Sequence, residues 1–314
     1  MLSVLIPAHN PNAARLRRTL AGLRDQTLPA DRWETVLVDN ASAPALDLAS
    51  LAGDAPGNLR IVREPELGLT AARRRGFTEA EGSIFVLVDD DNVLAPDYLE
   101  QVLALFSAHP RVGALGGKSA PEFAVEPPAW THEFFPLLAL RDPGDRPLIS
   151  SGLRPSDTTR NVYPASAPIG AGMALRRSAT TAWLDAVADD PRRAALDRRG
   201  AALVSGGDND LVLTLMTAGW EVAYFPQLAL THLIPAARLE AGYLMRLNRA
   251  MQTSWMHVLT LHEANPWPPL TPFGAALRKT KAWFTQHPWS SPAARVRYAG
   301  TCGHFDGRVP ARAV

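Results

Sequence analysis

The segment "GLTAARRRGFTEAEGSIFVLVDDDN" (68–92) contains the change of period that decides the fold. Its first part, 68–82, predicts a helix that lies between two glycines. The apolar run that follows, 83–89, is typical of a buried strand. This strand ends in three consecutive aspartates, Asp89, Asp90 and Asp91. Adjacent carboxylates repel each other and lose hydration beside apolar residues, so either solvent surrounds them or a cation binds there.

Similar strand and helix signals surround this segment. Apolar runs predict further strands at 2–7, 33–39, 59–64 and 111–117. Helices are expected after Asn12, which can cap a helix with Leu16, Leu20 and Leu23 on one face, and over 95–110. Because strands alternate with helices, we predict an α/β fold with a mostly parallel central sheet flanked by helices. Ligands of such sheets bind beyond the carboxyl ends of the strands.

The rest of the chain is less regular. Residues 118–168 contain nine prolines and predict a long excursion over the sheet, of the kind that forms lids or substrate walls. Regular structure is expected again at 168–179, as a loop, helix and strand at 205–226, and as a strand at 228–233. Helices are expected at 237–262 and near 275–286.

Composition narrows the class of protein. A content of 46% hydrophobic and 20% charged residues is that of a globular protein. The single cysteine, Cys302, excludes an intrachain disulfide and a cysteine-rich metal site. The first residues lack a signal-peptide pattern and no apolar run is long enough for a membrane helix, so we expect a cytoplasmic protein.

The region 235–314 is basic, with ten Lys or Arg against three Asp or Glu. Its first helix would align Leu239, Tyr243, Leu247 and Met251 in one apolar stripe. In one interpretation this stripe packs on the preceding domain and the arginines are solvated. In the other, 235–314 makes a peripheral contact with an anionic membrane or a lipid-linked acceptor. Nucleic acid is not an expected partner, because the basic residues form no recognisable binding module.

Two aspartates that end strands, Asp39 and Asp89, are candidates for a functional site. Either one alone is explained equally well as a turn or helix-capping residue. Together they would lie at the same edge of a parallel sheet. Asp89 and Asp91 are two residues apart and can hold a hard divalent cation, which would also bind diphosphate oxygens.

Four motifs now occur in order: "SVLIPAHN" (3–10), "TVLVDNAS" (35–42), the segment 68–92, and "SGGDNDL" (205–211). Together they resemble the family-2 glycosyltransferases, which have the glycosyltransferase A-type fold. The resemblance implies a catalytic domain at 1–234, followed by a basic helical extension at 235–314. Within that domain it implies a nucleotide-sugar-binding half (1–117) and an acceptor and catalytic half (118–234).

The resemblance also implies a nucleotide-diphosphate sugar donor, a UDP-sugar, and Mn²⁺ or Mg²⁺. The implied donor contacts are Pro7, Ala8, Asn10, Asp39, Arg73, Asp89 and Asp90. Asp91 is the implied direct metal ligand, with Asp89 and His232 as further contacts. In an extended chain Asp90 would point away from its neighbours, so we expect it to tolerate change best. The plainer interpretations are a satisfied core histidine for His232 and a solvated helix face for Arg73.

For catalysis, Asp208 aligns with the family's general base, and Gly207 stands where the family has Glu. An inverting transfer needs a carboxylate to take the proton of the acceptor hydroxyl as it attacks opposite the leaving diphosphate. The implied contacts to donor sugar and acceptor are Gly170, Ala171, Gly172, Met173, Gly207 and Asp210. In the alternative interpretation, Asp208 or Asp210 only caps the helix that begins at Leu211.

The implied function is a metal-dependent inverting glycosyltransferase that modifies a hydroxyl of a glycan or lipid-linked acceptor in bacterial surface polysaccharide synthesis. A haloacid dehalogenase-type phosphatase would need a catalytic lysine, and the chain has only Lys118, Lys279 and Lys281. A sugar nucleotidyltransferase would need a glycine-rich triphosphate loop after the first strand. A non-catalytic sugar-nucleotide-binding subunit would not require the aspartates at 89, 91 and 208.

Overall fold

The computed structural model describes residues 1–51, 53–151 and 163–310. Its strands are β1 (Leu2–Ala8), β2 (Trp33–Asn40), β3 (Leu59–Glu64), β4 (Ile84–Leu87), β5 (Asn92–Leu94), β6 (Val112–Phe123), β7 (Leu148–Ser150), β8 (Ala174–Arg176) and β9 (Glu221–Ile234). Its α-helices are α1 (Ala13–Arg24), α2 (Leu69–Glu79), α3 (Tyr98–Ala108), α4 (Arg177–Asp189), α5 (Pro191–Ala194), α6 (Gly207–Thr217), α7 (Ala241–Leu261), α8 (Pro272–Gln286) and α9 (Pro292–Asp306). Short 3₁₀ segments are Ala30–Arg32, Ala129–Leu138 and Ala236–Leu239.

Within these ranges the strands form one mixed sheet in the order β3-β2-β1-β4-β8-β6-β9-β5, and β7 pairs with β9. The four strands β3, β2, β1 and β4 are parallel, as are β6 and β9. The strands β5, β7 and β8 run antiparallel to their neighbours. The predicted α/β fold with helices around a central sheet is therefore confirmed, and its parallel half coincides with the regular first part of the sequence.

Alternation along the strands builds a core on each face of the sheet. On one face Val4, Ile6 and Val86 pack with α1 and α3. On the other face Leu5 and Phe85 pack with α2, α4 and α6. Strands covered on both faces favour apolar residues at nearly every position, which is why β4 is a continuous apolar run and β1 is interrupted only by the buried Ser3. The strand ends are left free to carry polar groups.

The segment 118–168 is more regular than predicted. Strand β6 continues to Phe123 alongside β9, and the chain then forms a 3₁₀ segment and β7. Pro121 is accommodated because β8 pairs with β6 only at Ala114 and Leu115, so the later part of β6 has β9 as its ladder partner. Residues 152–162 of the predicted excursion lie outside the described residues.

The basic C-terminal region is helical, as predicted, but the predicted helix 237–262 is divided into the 3₁₀ segment Ala236–Leu239 and α7, and its apolar stripe is packed. Leu239 and Leu247 are buried, and Tyr243 and Met251 pack partly buried in the same cluster. The packing interpretation of this stripe is confirmed, and the membrane contact of 235–314 stays a prediction. Helix α9 was not predicted. None of the described helices combines the length and apolarity needed to cross a bilayer.

Candidate active site

A cavity of about 400 Å³ opens at the carboxyl ends of β1 and β4. Helix α2, the loop before β8, the start of α6 and the chain after β9 contribute to its walls. The predicted site residues that line it are Pro7, Ala8, Arg73, Asp89, Asp90, Asp91, Gly170, Ala171, Asp208 and His232. Segments far apart in sequence therefore meet at the sheet edge where ligands of α/β proteins bind.

The other predicted site residues, in the part of the chain that the structure describes, lie outside this lining: Asn10, Asp39, Gly172, Met173, Gly207 and Asp210. Asp39 is buried, and its carboxylate accepts hydrogen bonds from the amides of Ser42 (3.1 Å) and Leu46 (3.1 Å). Asn10 accepts from the Ala43 amide at 2.9 Å. These two residues order the loop after β2, and the contact of Asp39 with the donor stays a prediction.

All three consecutive aspartates line the cavity, so the expectation that Asp90 points away is wrong. The reason is that β4 ends at Leu87 and the chain turns at residues 90 and 91, where the alternation of an extended strand no longer applies. Burial, and then the charge of Asp91, raises the pKa of Asp90 to about 7. The same two causes raise the pKa of Asp89. Solvent therefore does not fully compensate the repulsion between these three carboxylates.

Asp91 is the aspartate that has cationic partners. Arg238 Nη2 donates to Asp91 Oδ2 at 2.9 Å, and His232 Nε2 lies 3.3 Å from Asp91 Oδ1. Burial opposes the charge of Asp91, but the hydrogen bond and charge of His232 and the charge of Arg238 together lower its pKa. Arg238 Nη1 also lies 3.0 Å from His232 Nε2. A guanidinium from outside the predicted domain therefore occupies the position beside the expected metal ligand.

The donor set at Asp89, Asp91 and His232 fits a hard divalent cation in its chemistry. Two carboxylates and an imidazole are suitable ligands, and mutual repulsion of the carboxylates favours a cation between them. His232 Nδ1 is buried without a hydrogen-bond partner in the described residues. However, no group of three or more His, Cys, Asp or Glu in those residues is already arranged to hold a metal ion. Arg238 would have to give way for the ion to reach Asp91.

Asp208 is held at the start of α6 by contacts to both of its oxygens. The Gly170 amide donates to Oδ2 at 3.0 Å, and Arg73 Nη2 donates to Oδ1. The Asp208 side chain remains 31% exposed. Burial opposes the charge on Arg73, but Asp208, Asp197 and Asp89 outweigh it and raise the Arg73 pKa. Arg73 therefore stays charged and fixes the orientation of Asp208, and its contact with the donor stays a prediction.

Asp197 is a site residue that the sequence analysis missed. It accepts from Arg73 Nη1 at 3.1 Å and from Thr70 Oγ1 at 2.9 Å. A Cβ atom on Gly207 would lie 2.2 Å from its carboxylate. The carboxylate of Asp197 thus fills the space that a side chain at 207 would need. An acidic group is present next to Asp208, although it comes from another segment. No local motif around Asp197 signals this, because the contact depends on the fold.

Asp210 has a structural function that differs from the predicted contact with sugar or acceptor. Its buried carboxylate accepts from Trp183 Nε1 at 3.2 Å, pairs with Arg193, and lies 2.8 Å from His262 Nε2. These contacts tie α6 to α4, α5 and the end of α7. Gly172 and Met173 lie behind the lining of the cavity and do not face it, and Met173 is buried in the core. Gly172 has a φ of +76°, and a Cβ there would meet Leu230 and the Tyr98 hydroxyl.

Comparison with known proteins identifies the family. Residues 3–180 match the family description "Glycosyl transferase family 2". The chain belongs to this family. Membership of this family excludes the phosphatase alternative. The matched residues include β1 to β4 and the three aspartates that line the cavity.

The chain is similar to curated relatives over about a third of its length. It is 31% identical over 103 residues to the "Putative glycosyltransferase EpsH" of Bacillus subtilis, covering 32% of this chain and 29% of EpsH. It is 34% identical over 101 residues to the "Succinoglycan biosynthesis protein ExoW" of Rhizobium meliloti, covering 31% of each chain. The chain thus spans about a third of the length of these relatives.

A solved structure with the same fold extends over almost the whole chain. It is that of S. aureus TarS 1–349 in complex with UDP-GlcNAc, with a TM-score of 0.50 and 13% identity. The alignment covers 98% of this chain and 90% of the TarS chain. At this identity the likeness establishes the fold of the chain alone, and it includes the helices after β9.

Proposed function

We propose that this glycosyltransferase transfers a sugar, with inversion, from a UDP-sugar to a hydroxyl of a glycan or lipid-linked acceptor. The observation that carries the proposal is the meeting of Asp208 with the aspartates 89–91 across one cavity. The aspartates and the ends of β1 and β4 form the donor side. Asp208 lies on the other side, where an acceptor would approach. The UDP-GlcNAc complex of TarS supports a nucleotide sugar as the donor.

In this mechanism Asp208 is the general base. The Gly170 amide and Arg73 hold its two oxygens, so the carboxylate is oriented before the acceptor arrives. Each oxygen retains a lone pair, and the partly exposed side chain can take the hydroxyl proton as the acceptor oxygen attacks the anomeric carbon. The C–O bond to the diphosphate breaks on the opposite face, which inverts the anomeric configuration.

A divalent cation, Mn²⁺ or Mg²⁺, would be held by Asp91 with Asp89, and His232 would lie beside them. When bound, it would neutralise charge on the leaving diphosphate. Arg238 could then turn from Asp91 toward the diphosphate oxygens that share the cavity. In this proposal Arg238 neutralises Asp91 before the donor binds and neutralises the diphosphate afterwards.

We further propose a role in surface polysaccharide synthesis, at the cytoplasmic side of a membrane. The name of ExoW supports this, since ExoW is a succinoglycan biosynthesis protein. The catalytic domain would comprise residues 1–234 and the helical extension residues 235–314, as the change from β9 to helices suggests. Arg238, Tyr243 and Met251 line the cavity, so the extension would complete the active site.

Calorimetric titration with UDP, with and without Mn²⁺, tests the donor and metal parts of the proposal. We expect wild-type protein to bind UDP with Mn²⁺, and we expect Asp91→Ala to lose the Mn²⁺-dependent component because the ligand is gone. The exposed helix residue Asp189 supplies the control, and Asp189→Ala should bind as wild type. Equal Mn²⁺-dependent binding by Asp91→Ala and wild type would remove Asp91 as a ligand.

A further inference from the structure

Helix α8 has its apolar residues on the outside. Phe273, Leu277 and Phe284 follow at spacings of four and seven residues and therefore lie on one face. They are 80%, 61% and 64% exposed. The opposite face contains the buried Ala275 and Ala282, and α8 packs with α9. A helix that only packs on its own protein buries its large apolar residues, so this face is available to a partner.

Aromatic residues extend the same exposed surface. Trp283 is 43% and Trp289 57% exposed. Their ring centroids are 5.7 Å apart, and Trp283 contacts Tyr298 edge-on at 5.3 Å. Tryptophan combines a large apolar ring with one polar N–H, which suits the boundary between water and lipid. The face thus combines aliphatic and aromatic groups in the pattern of an interfacial helix.

The charge around this face favours an anionic partner. Residues 264–310 contain six Lys or Arg and one acidic residue, Asp306. Asp306 is already paired with Lys279 and Arg249. Arg278 and Lys281, which are exposed on α8, therefore have no acidic residue of that helix to neutralise them. A second copy of the chain would bring like charge to like charge, whereas an anionic lipid surface would attract both residues.

We propose that α8 lies flat on an anionic lipid bilayer, with Phe273, Leu277 and Phe284 in the acyl boundary and Arg278 and Lys281 among the headgroups. Helix α8 contacts α9, and α9 packs on α7, whose Tyr243 and Met251 line the cavity. Docking through α8 would therefore hold the cavity close to the membrane surface. This inference rests on the exposed face alone and does not depend on the proposed donor or base.

Flotation of the full chain with vesicles tests the proposal. The wild type should float with phosphatidylcholine vesicles that contain phosphatidylglycerol, and much less with phosphatidylcholine alone. The triple variant Phe273→Ser, Leu277→Ser, Phe284→Ser should bind at least about ten-fold more weakly, because three inserted side chains are lost. Arg278→Glu with Lys281→Glu should abolish the preference for phosphatidylglycerol. Native tryptophan fluorescence should be quenched by brominated lipid in wild-type protein, since Trp283 and Trp289 adjoin the face.

A matched control removes apolar residues that are exposed elsewhere, Leu48→Ser with Val125→Ser, and should float as wild type. All of these changes are at exposed positions, and circular dichroism checks that each variant is folded. Failure of the wild type to float, or equal flotation of the wild type and the triple variant, would overturn the proposal. So would light scattering that shows a wild-type dimer which the triple variant converts to monomer without any vesicle binding.

Discussion

At the scale of single residues, one guanidinium organises the proposed base. Arg73 contacts Asp208 through one terminal nitrogen and Asp197 through the other. Asp197 occupies the space in front of Gly207, so Gly207 is a steric requirement of this arrangement. The carboxylate next to the base is therefore supplied by Asp197, which lies ten positions before Gly207 in the chain.

This arrangement predicts that Gly207→Ala reduces both activity and stability. The new Cβ must push the Asp197 carboxylate away from Arg73, and overpacking of a buried site costs about 1–3 kcal/mol. Urea unfolding measures the loss of stability, and UDP release from a UDP-sugar measures activity. Gly57→Ala is the control, because a Cβ on Gly57 meets nothing within 4 Å. Equal stability of the two variants would contradict the account of Gly207.

Site residues next to a strand or helix end could be predicted from the sequence. Site residues whose contacts depend on long-range packing could not. Asp89, Asp91 and Asp208 could be located because each ends or begins a periodic element, and all three line the cavity. Asp197 and Arg238 were missed because their partners lie far away in sequence and no motif surrounds them. Asp90 was misjudged because the strand rule was applied to residues that form a turn.

At the scale of elements, Asp210 holds α6 against the neighbouring helices. Its buried carboxylate binds Trp183 on α4, Arg193 on α5 and His262 after α7. Asp208 is two residues earlier, at the start of the same helix. The position of the proposed base thus depends on a polar network that lies outside the lining of the cavity.

We predict that Asp210→Ala lowers the free energy of unfolding by about 3 kcal/mol, since it leaves Arg193 without its buried partner. Chemical denaturation measures this change. Asp185, on the exposed face of α4, provides the control, and Asp185→Ala should change stability by less than about 0.5 kcal/mol. A loss of similar size in both variants would mean that Asp210 contributes no more than a surface carboxylate.

Most strands and helices of the first part of the chain could be predicted from the spacing of apolar residues, whereas α9 could not. Helix α9 packs through small residues, and a Cβ on Gly303 would lie 2.1 Å from the Arg249 carbonyl oxygen. Such close packing replaces the stripe of large apolar residues on which a periodicity argument depends. Ser291 and Pro292, the cap and first residue of α9, were the available signal for its start.

At the scale of the whole molecule, the helical extension and the sheet meet at Asp91. Arg238 follows β9 and reaches the aspartate that ends the β4 segment. The parallel half of the sheet therefore provides the acidic side of the site, and the C-terminal region provides a cation that neutralises it.

We predict that Arg238→Ala raises the affinity of the protein for Mn²⁺ several-fold in the absence of donor, because a competing cation is removed from Asp91. Electron paramagnetic resonance of free Mn²⁺ measures this without any turnover. Arg246→Ala, an exposed arginine of α7, should leave the affinity unchanged. A decrease in Mn²⁺ affinity for Arg238→Ala would show that Arg238 supports the metal site and does not compete with the ion.

The most direct test of the central claim is the rate of UDP release from a UDP-sugar by Asp208→Asn at saturating donor. Asparagine keeps the shape and the contact with the Gly170 amide but cannot take a proton from the attacking hydroxyl. The account predicts a rate at least about 100-fold below wild type, with UDP affinity retained. A rate equal to that of the wild type would contradict the assignment of Asp208 as the base.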